Sequence, residues 1–106
     1  MNAAARRGAA RERVEEAIAA QDRGDAVGAA RLYREAIALD PDYPAPRFNL
    51  GLMQQEQGDH QSAESALRAA LRLRPEFPEA WVALAETLDA AGRETEALAA
   101  LDTAIA

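Results

Sequence analysis

The stretch PAPRFNLGLMQQEQGDHQSAESALRAALRLRPEF, residues 44–77, decides the fold. Leu50-Gly51 stands early in it and Gly58-Asp59 in the middle. Ala63, Leu67 and Ala70 follow at helical spacing, and Pro75 lies near its end. A shift of 34 residues towards the N-terminus turns Gly58 into Gly24, Ala63 into Ala29, Leu67 into Tyr33, Ala70 into Ala36 and Pro75 into Pro41. The same shift forwards gives Gly92, Ala97, Leu101 and Ala104. Self-similarity at one fixed period marks an array of supersecondary units, each too small to bury its own apolar face.

Working outward from that unit, the same grammar reads along the chain. Val14, Ala17, Ile18 and Gln21 fall at i, i+3, i+4 and i+7, which predicts a helix from about Ala10 to Arg23. Residues 1–9 either extend that helix or fray from it. Gly24 suits a left-handed C-terminal cap and Asp25 an N-cap. A second helix is expected over 26–39, burying Ala29, Leu32, Tyr33, Ala36 and Ile37, until Asp40-Pro41 stops it. Pro44 and Pro46 open a third helix over 44–57, with Leu50, Gly51 and Met53 inside. Asp59 caps a fourth over 60–73. Pro78 opens a fifth with Trp81, Leu84, Ala85 and Leu88, and after Gly92-Arg93 a sixth spans 94–105. No segment alternates with period two, so the fold class is all-α. Ala17, Gly51 and Ala85 sit at equivalent places on the first helix of each pair, and Ala29, Ala63 and Ala97 on the second. Small residues there allow two helix axes to cross closely.

Composition narrows the function classes. A chain of 106 residues suits one small domain. Cysteine is absent and histidine occurs once, so the sequence predicts neither disulfides nor a transition-metal site. There is no lysine. Residues 1–43 hold seven arginines against eight acids, and residues 44–75 hold four against three. Residues 76–106 hold Arg93 alone against seven acids, so the net charge of -6 resides in the last third. An acidic surface repels phosphate backbones, which argues against nucleic acid. No apolar run reaches a membrane span and no secretory signal follows Met1, so the expected compartment is the cytoplasm, with no membrane partner. No nucleophile–base pair or phosphate-cradling loop appears; the expectation is no catalytic residue, no cofactor and no enzyme. Arg68 and Arg72 share a helix face and read as a small basic patch or a solvated surface. His60 reads as a packing residue at a hairpin turn.

Trp81-x2-Leu84-Ala85-x2-Leu88 with Ala97-x3-Leu101, and Leu50-Gly51 with Ala63-x3-Leu67 and Pro75, resemble the tetratricopeptide repeat. The first copy is weaker at its start, with Arg13 and Glu16 in place of the aromatic and leucine, and recovers with Ala29-x3-Tyr33 and Pro41. The resemblance covers residues 10–106 as repeats 10–43, 44–77 and 78–106. It implies a right-handed superhelix of three antiparallel helix-turn-helix hairpins, and a concave groove that binds a peptide or protein segment.

Mapped through the resemblance, the groove would be lined by Val14 and Ile18, then Phe48, Asn49, Leu52 and Gln55, then Val82, Glu86 and Asp89. Its apolar stripe would be Val14, Ile18, Phe48, Leu52 and Val82, and its far end would be acidic through Glu79, Glu86 and Asp89. Asn49 matches an asparagine that in some family members clamps a terminal carboxylate. Val14, Ile18 and Ala83 stand where that clamp has polar or basic groups, so the clamp is expected to be absent. The function implied is a non-catalytic interaction scaffold. Leu98, Leu101 and Ile105 on the last helix would face a following repeat, yet the sequence stops at Ala106. That motivates two alternatives: a homodimer formed through this helix, or a piece of a larger protein, such as the recognition arm of a glycosyltransferase.

Overall fold

Gly24, Gly58 and Gly92 all adopt φ near 80°, the left-handed region where a side chain is strained. Around each, the same 6→1 bond closes the turn: Asp25 N–H to Ala20 O, Asp59 N–H to Gln54 O and Arg93 N–H to Leu88 O, at 2.9–3.0 Å. The turns separate the helices of the computed structural model, which describes every residue from Met1 to Ala106. The helices are α1 (Ala3–Asp22), α2 (Ala26–Leu39), α3 (Pro44–Glu56), α4 (His60–Leu73), α5 (Pro78–Ala90) and α6 (Glu94–Ile105), with no strand. The fold is therefore all-α, built of helical hairpins. Asp25 caps α2 by accepting from the Gly28 N–H at 2.9 Å, and Asp59 caps α4 by accepting from the Ser62 N–H at 3.2 Å. Arg93 occupies the third such position and makes no side-chain cap; Glu94 and Glu96 place carboxylates in the first turn of α6 instead.

Backbone contacts divide the chain into two compact units, Met1–Pro46 and Arg47–Ala106. In the first, α1 and α2 lie against each other. Ala10, Val14, Ala17 and Ala20 of α1 and Ala29, Tyr33 and Ala36 of α2 are buried, so five of these seven are alanines and Tyr33 is the one aromatic. The Tyr33 hydroxyl donates to Gln21 Oε1, which supplies the partner a buried phenol requires. Leu32 and Ile37 are only half-buried, because they flank the Ala29, Tyr33 and Ala36 stripe that α2 buries. Helix α1 starts seven residues earlier than the apolar periodicity. Asn2 Oδ1 caps it from the Ala5 N–H at 2.8 Å, and Arg7 donates from Nε to Asp40 while its guanidinium lies 4.6 Å from the centre of the Tyr43 ring. The Arg7 hydrogen bond holds the Asp40 carboxyl below its ordinary range.

In the second unit the core gathers Leu67 and Leu71 of α4, Phe77, Ala80, Ala83, Leu84, Ala85 and Leu88 at and along α5, and Ala97 and Ala100 of α6. Phe48, Leu52 and Trp81 pack against it from its margin. A Cβ built on Gly51 would lie 2.9 Å from Leu67 Cγ and 3.3 Å from Ala66 Cβ, so α3 and α4 meet at a contact only glycine allows. Trp81 Nε1 donates to Pro75 O at 2.8 Å and fastens the linker before α5. Glu64 accepts from Arg93 at 2.6 Å and from Arg68 at 2.9 Å, and Arg93 also reaches Glu96 at 2.6 Å. This network ties the α5–α6 turn to α4. The Arg93 hydrogen bonds are the first cause that holds Glu64 and Glu96 below the ordinary carboxylate range. Arg68 is thus an ion-pair partner, not part of a free basic patch.

Two outcomes follow from this packing. Gly51→Ala gains up to about 1 kcal/mol of helix propensity but overpacks a core that is already filled, at a cost of about 1–3 kcal/mol. A Cβ on Gly8 meets nothing within 4 Å, so Gly8→Ala gains up to about 1 kcal/mol. Urea denaturation is expected to give opposite signs for the two variants. Separately, burial, and after it the Asp22 charge, pushes the Tyr33 phenol up to about 12 from 10. A phenol harder to ionise when folded stabilises fully below pH 10 and loses that contribution as pH climbs through 12. Unfolding free energy should fall across that interval by at most ~3 kcal/mol, and Tyr33→Phe should flatten the fall.

Candidate functional site

Leu52 and Gln55 stand one turn apart on α3. Glu79, Val82, Ala83 and Glu86 recur at i, i+3, i+4 and i+7 on α5, so they share one helix face. With Pro78 these residues surround a recess of about 330 Å³ between the two helices. Its floor is apolar, with Leu52 resting on the core and Val82 at 38% exposure. Its rim carries two exposed carboxylates, Glu79 and Glu86. Gln55 Nε2 donates to Ala83 O at 3.0 Å, and Thr87 Oγ1 donates to the same carbonyl at 2.9 Å. The side-chain amide therefore bridges α3 to α5 and sets the width of the recess.

The sequence-predicted groove residues separate into several groups. Leu52, Gln55, Val82 and Glu86 are brought together around this recess. Phe48 is not among its lining residues. Its ring lies 4.6 Å from that of Phe77, tilted by 45°, and packs against the core. The sequence could not distinguish the two roles, because Phe48 and Leu52 are four apart on one face. Asn49 is half-buried on α3 and does not line the recess. Val14 and Ile18 belong to the first unit, where Val14 is buried and Ile18 exposed.

Asp89 lines a different recess, of about 320 Å³, on the α5–α6 hairpin. Ala85 and Ala97 form its base, Leu98 and Leu101 one wall, and Glu86, Asp89 and Glu94 its acidic edge. Leu98 is 63% exposed and Ile105, beyond the recess, 82%. Ala85, Ala97 and Glu94 were not among the sequence-predicted site residues. The signal for the first two was present, since each is the 34-residue counterpart of a crossing residue, Gly51 or Ala63. His60, at the start of α4, is half-buried, and its Nδ1 and the Oε1 of Gln54 are buried without a hydrogen-bond partner. No cluster of three or more His, Asp or Glu side chains has the arrangement of a metal site. No helix is long and apolar enough to cross a membrane.

The tetratricopeptide repeat profile matches residues 54–106, and a second repeat profile of the same family matches residues 22–58. The chain belongs to the tetratricopeptide repeat family. Among curated proteins no sequence matches it. Among solved structures, this tetratricopeptide repeat chain is similar to the MamA protein, with a TM-score of 0.87 and 23% identity over 92% of its length. It spans 53% of that MamA chain, about half. It is also similar to the second repeat domain of Spaghetti (RPAP3) bound to the HSP90 peptide SRMEEVD, at a TM-score of 0.87 and 18% identity, covering 92% of this chain and 90% of that one. A mutant O-GlcNAc transferase of Thermobaculum terrenum matches at a TM-score of 0.83 and 26% identity, over 92% of this chain and 19% of the enzyme. The family supports the general reading of an interaction module, and the likeness to MamA and RPAP3 is one of fold.

The division between core and recess is measurable. Phe48→Ala removes an aromatic ring packed on Phe77 and should lower unfolding stability by about 2–3 kcal/mol. Val82→Ala, at the half-open recess, should cost less than about 1 kcal/mol. Chemical denaturation of the two variants gives the comparison.

Proposed function

We propose that this tetratricopeptide repeat chain is a non-catalytic scaffold whose α3–α5 recess grips a partner segment bearing an apolar side chain next to an arginine or lysine. The observation that carries the reading is the composition of the recess: an apolar floor of Leu52 and Val82 beneath the carboxylates Glu79 and Glu86. An apolar side chain entering it removes surface from water, and a cation beside that side chain meets two carboxylates that have no arginine partner of their own. The Gln55–Ala83 bond holds α3 and α5 at a fixed separation, so the recess needs little ordering when the segment arrives. The reading applies equally to a free-standing scaffold and to a recognition arm of a larger enzyme.

The charge of this recess also sets it apart from the RPAP3 domain in the type of segment expected. The peptide on that domain, SRMEEVD, ends in acids. Glu79 and Glu86 would repel such an ending, and Ala83 supplies no cation to receive a carboxylate. The favoured ligand is thus of opposite polarity.

A peptide array of 12-residue segments, probed with the intact chain, tests this. The expected result is enrichment of Arg or Lys beside Leu, Ile or Phe, with the signal lost in Glu79→Arg and weakened at least about fivefold by Val82→Glu. Enrichment of acidic C-termini, or a signal indifferent to both substitutions, would sink the proposal.

A further inference from the structure

The two carboxylates of the α3–α5 recess are set at a fixed interval. Glu79 and Glu86 are seven residues apart on α5, so they lie on one face of the helix with about 10.5 Å of rise between them. Both are exposed. Val82 and Ala83 stand between them, and Leu52 and Gln55 close the recess from α3. A segment that satisfies both carboxylates therefore has to present two cations at a matching interval, with an apolar side chain between them.

The width of the recess limits the backbone that can do this. Gln55 Nε2 reaches the Ala83 carbonyl at 3.0 Å, so one glutamine side chain spans the gap between α3 and the α5 backbone. An α-helix with its side chains is about 10–12 Å across, too wide to sink to Leu52 between walls that one side chain can bridge. An extended backbone needs only about 5 Å.

Side-chain direction then separates the extended conformations. A β-strand turns residues i and i+3 to opposite faces, and its same-face pairs fall about 7 Å or about 13 Å apart. Neither interval matches the carboxylates. Polyproline II repeats every three residues with about 9 Å of rise, so i and i+3 point the same way. That interval is within the reach of flexible glutamate and arginine or lysine side chains. The residue after the first cation turns to the apolar floor, and the next one faces solvent.

We propose, resting on the reading of this recess as a site for an apolar side chain beside a cation, that the bound segment runs along α5 as one turn of polyproline II. Two cations three positions apart meet Glu79 and Glu86, and an apolar side chain directly after the first of them meets Leu52 and Val82.

Three fluorescent peptides of identical composition test the interval. GSPRLPRPSG places its arginines three apart, GSPRLRPPSG two apart and GSPRLPPRSG four apart. Fluorescence anisotropy with the intact 106-residue chain at low salt should show the first binding at least about threefold more tightly than either of the others. Glu79→Gln and Glu86→Gln should each weaken the first peptide and cut its advantage to less than about 1.5-fold, because the preference needs both carboxylates at once. Both positions are exposed, and circular dichroism checks that the variants remain folded. Equal affinity for the three orders, with binding still lost in Val82→Glu, would overturn the interval and leave the reading of the recess intact. A preference for arginines two or four apart would overturn it in the same way and indicate a strand. Absence of binding by all three peptides, or binding indifferent to Val82→Glu, would overturn the interval and the reading of the recess together.

Discussion

The second unit depends on how closely α3 and α4 approach at Gly51. With no side chain there, the α3 backbone settles against Leu67, which becomes fully buried. Leu67 then shares a cluster with Phe77 and Leu84, and the Phe77 ring fixes that of Phe48. Each contact is van der Waals in kind and individually weak, but they are consecutive and density leaves no slack between them. The recess between α3 and α5, bridged directly by Gln55 and Ala83, thus also rests on a crossing several side chains away.

Much of this was legible in the sequence because the signals were local. The aspartates at 25 and 59 and the glycines at 24, 58 and 92 act within one turn of where they stand, and five of the six helices begin where those residues and the prolines indicate. The sequence left open whether residues 1–9 extend α1 or fray from it; they extend it, with a local cap from Asn2 and a tie from Arg7 to Asp40, 33 positions away, that no periodicity encodes. Site residues divided on the same principle. Leu52, Gln55, Val82 and Glu86 come together around one recess because a helix face is a property of spacing. Phe48 went to the core because the position of Phe77, which ends the repeat, is a tertiary fact. Gln55 was expected as a groove contact, and its amide nitrogen proves to be engaged with the Ala83 carbonyl.

The distribution of charge has a comparable logic. Three arginines of the second unit are used internally: Arg68 and Arg93 hold Glu64, and Arg74 lies 4.7 Å from the centre of the Phe77 ring. The carboxylates Glu79, Glu86 and Asp89 have no such partners. The unit therefore carries its ion pairs where its helices are joined and unpaired carboxylates along the faces where its two recesses open.

The ionic tie at Arg93 also gives α6 a direction. Its first turn is bound to α4 through Glu64, while its last turn ends in the exposed Ile105 and Ala106. Local opening of the first turn must break the Arg93–Glu64 contact as well as the helix's own hydrogen bonds, so the start of α6 is clamped from outside its own hairpin.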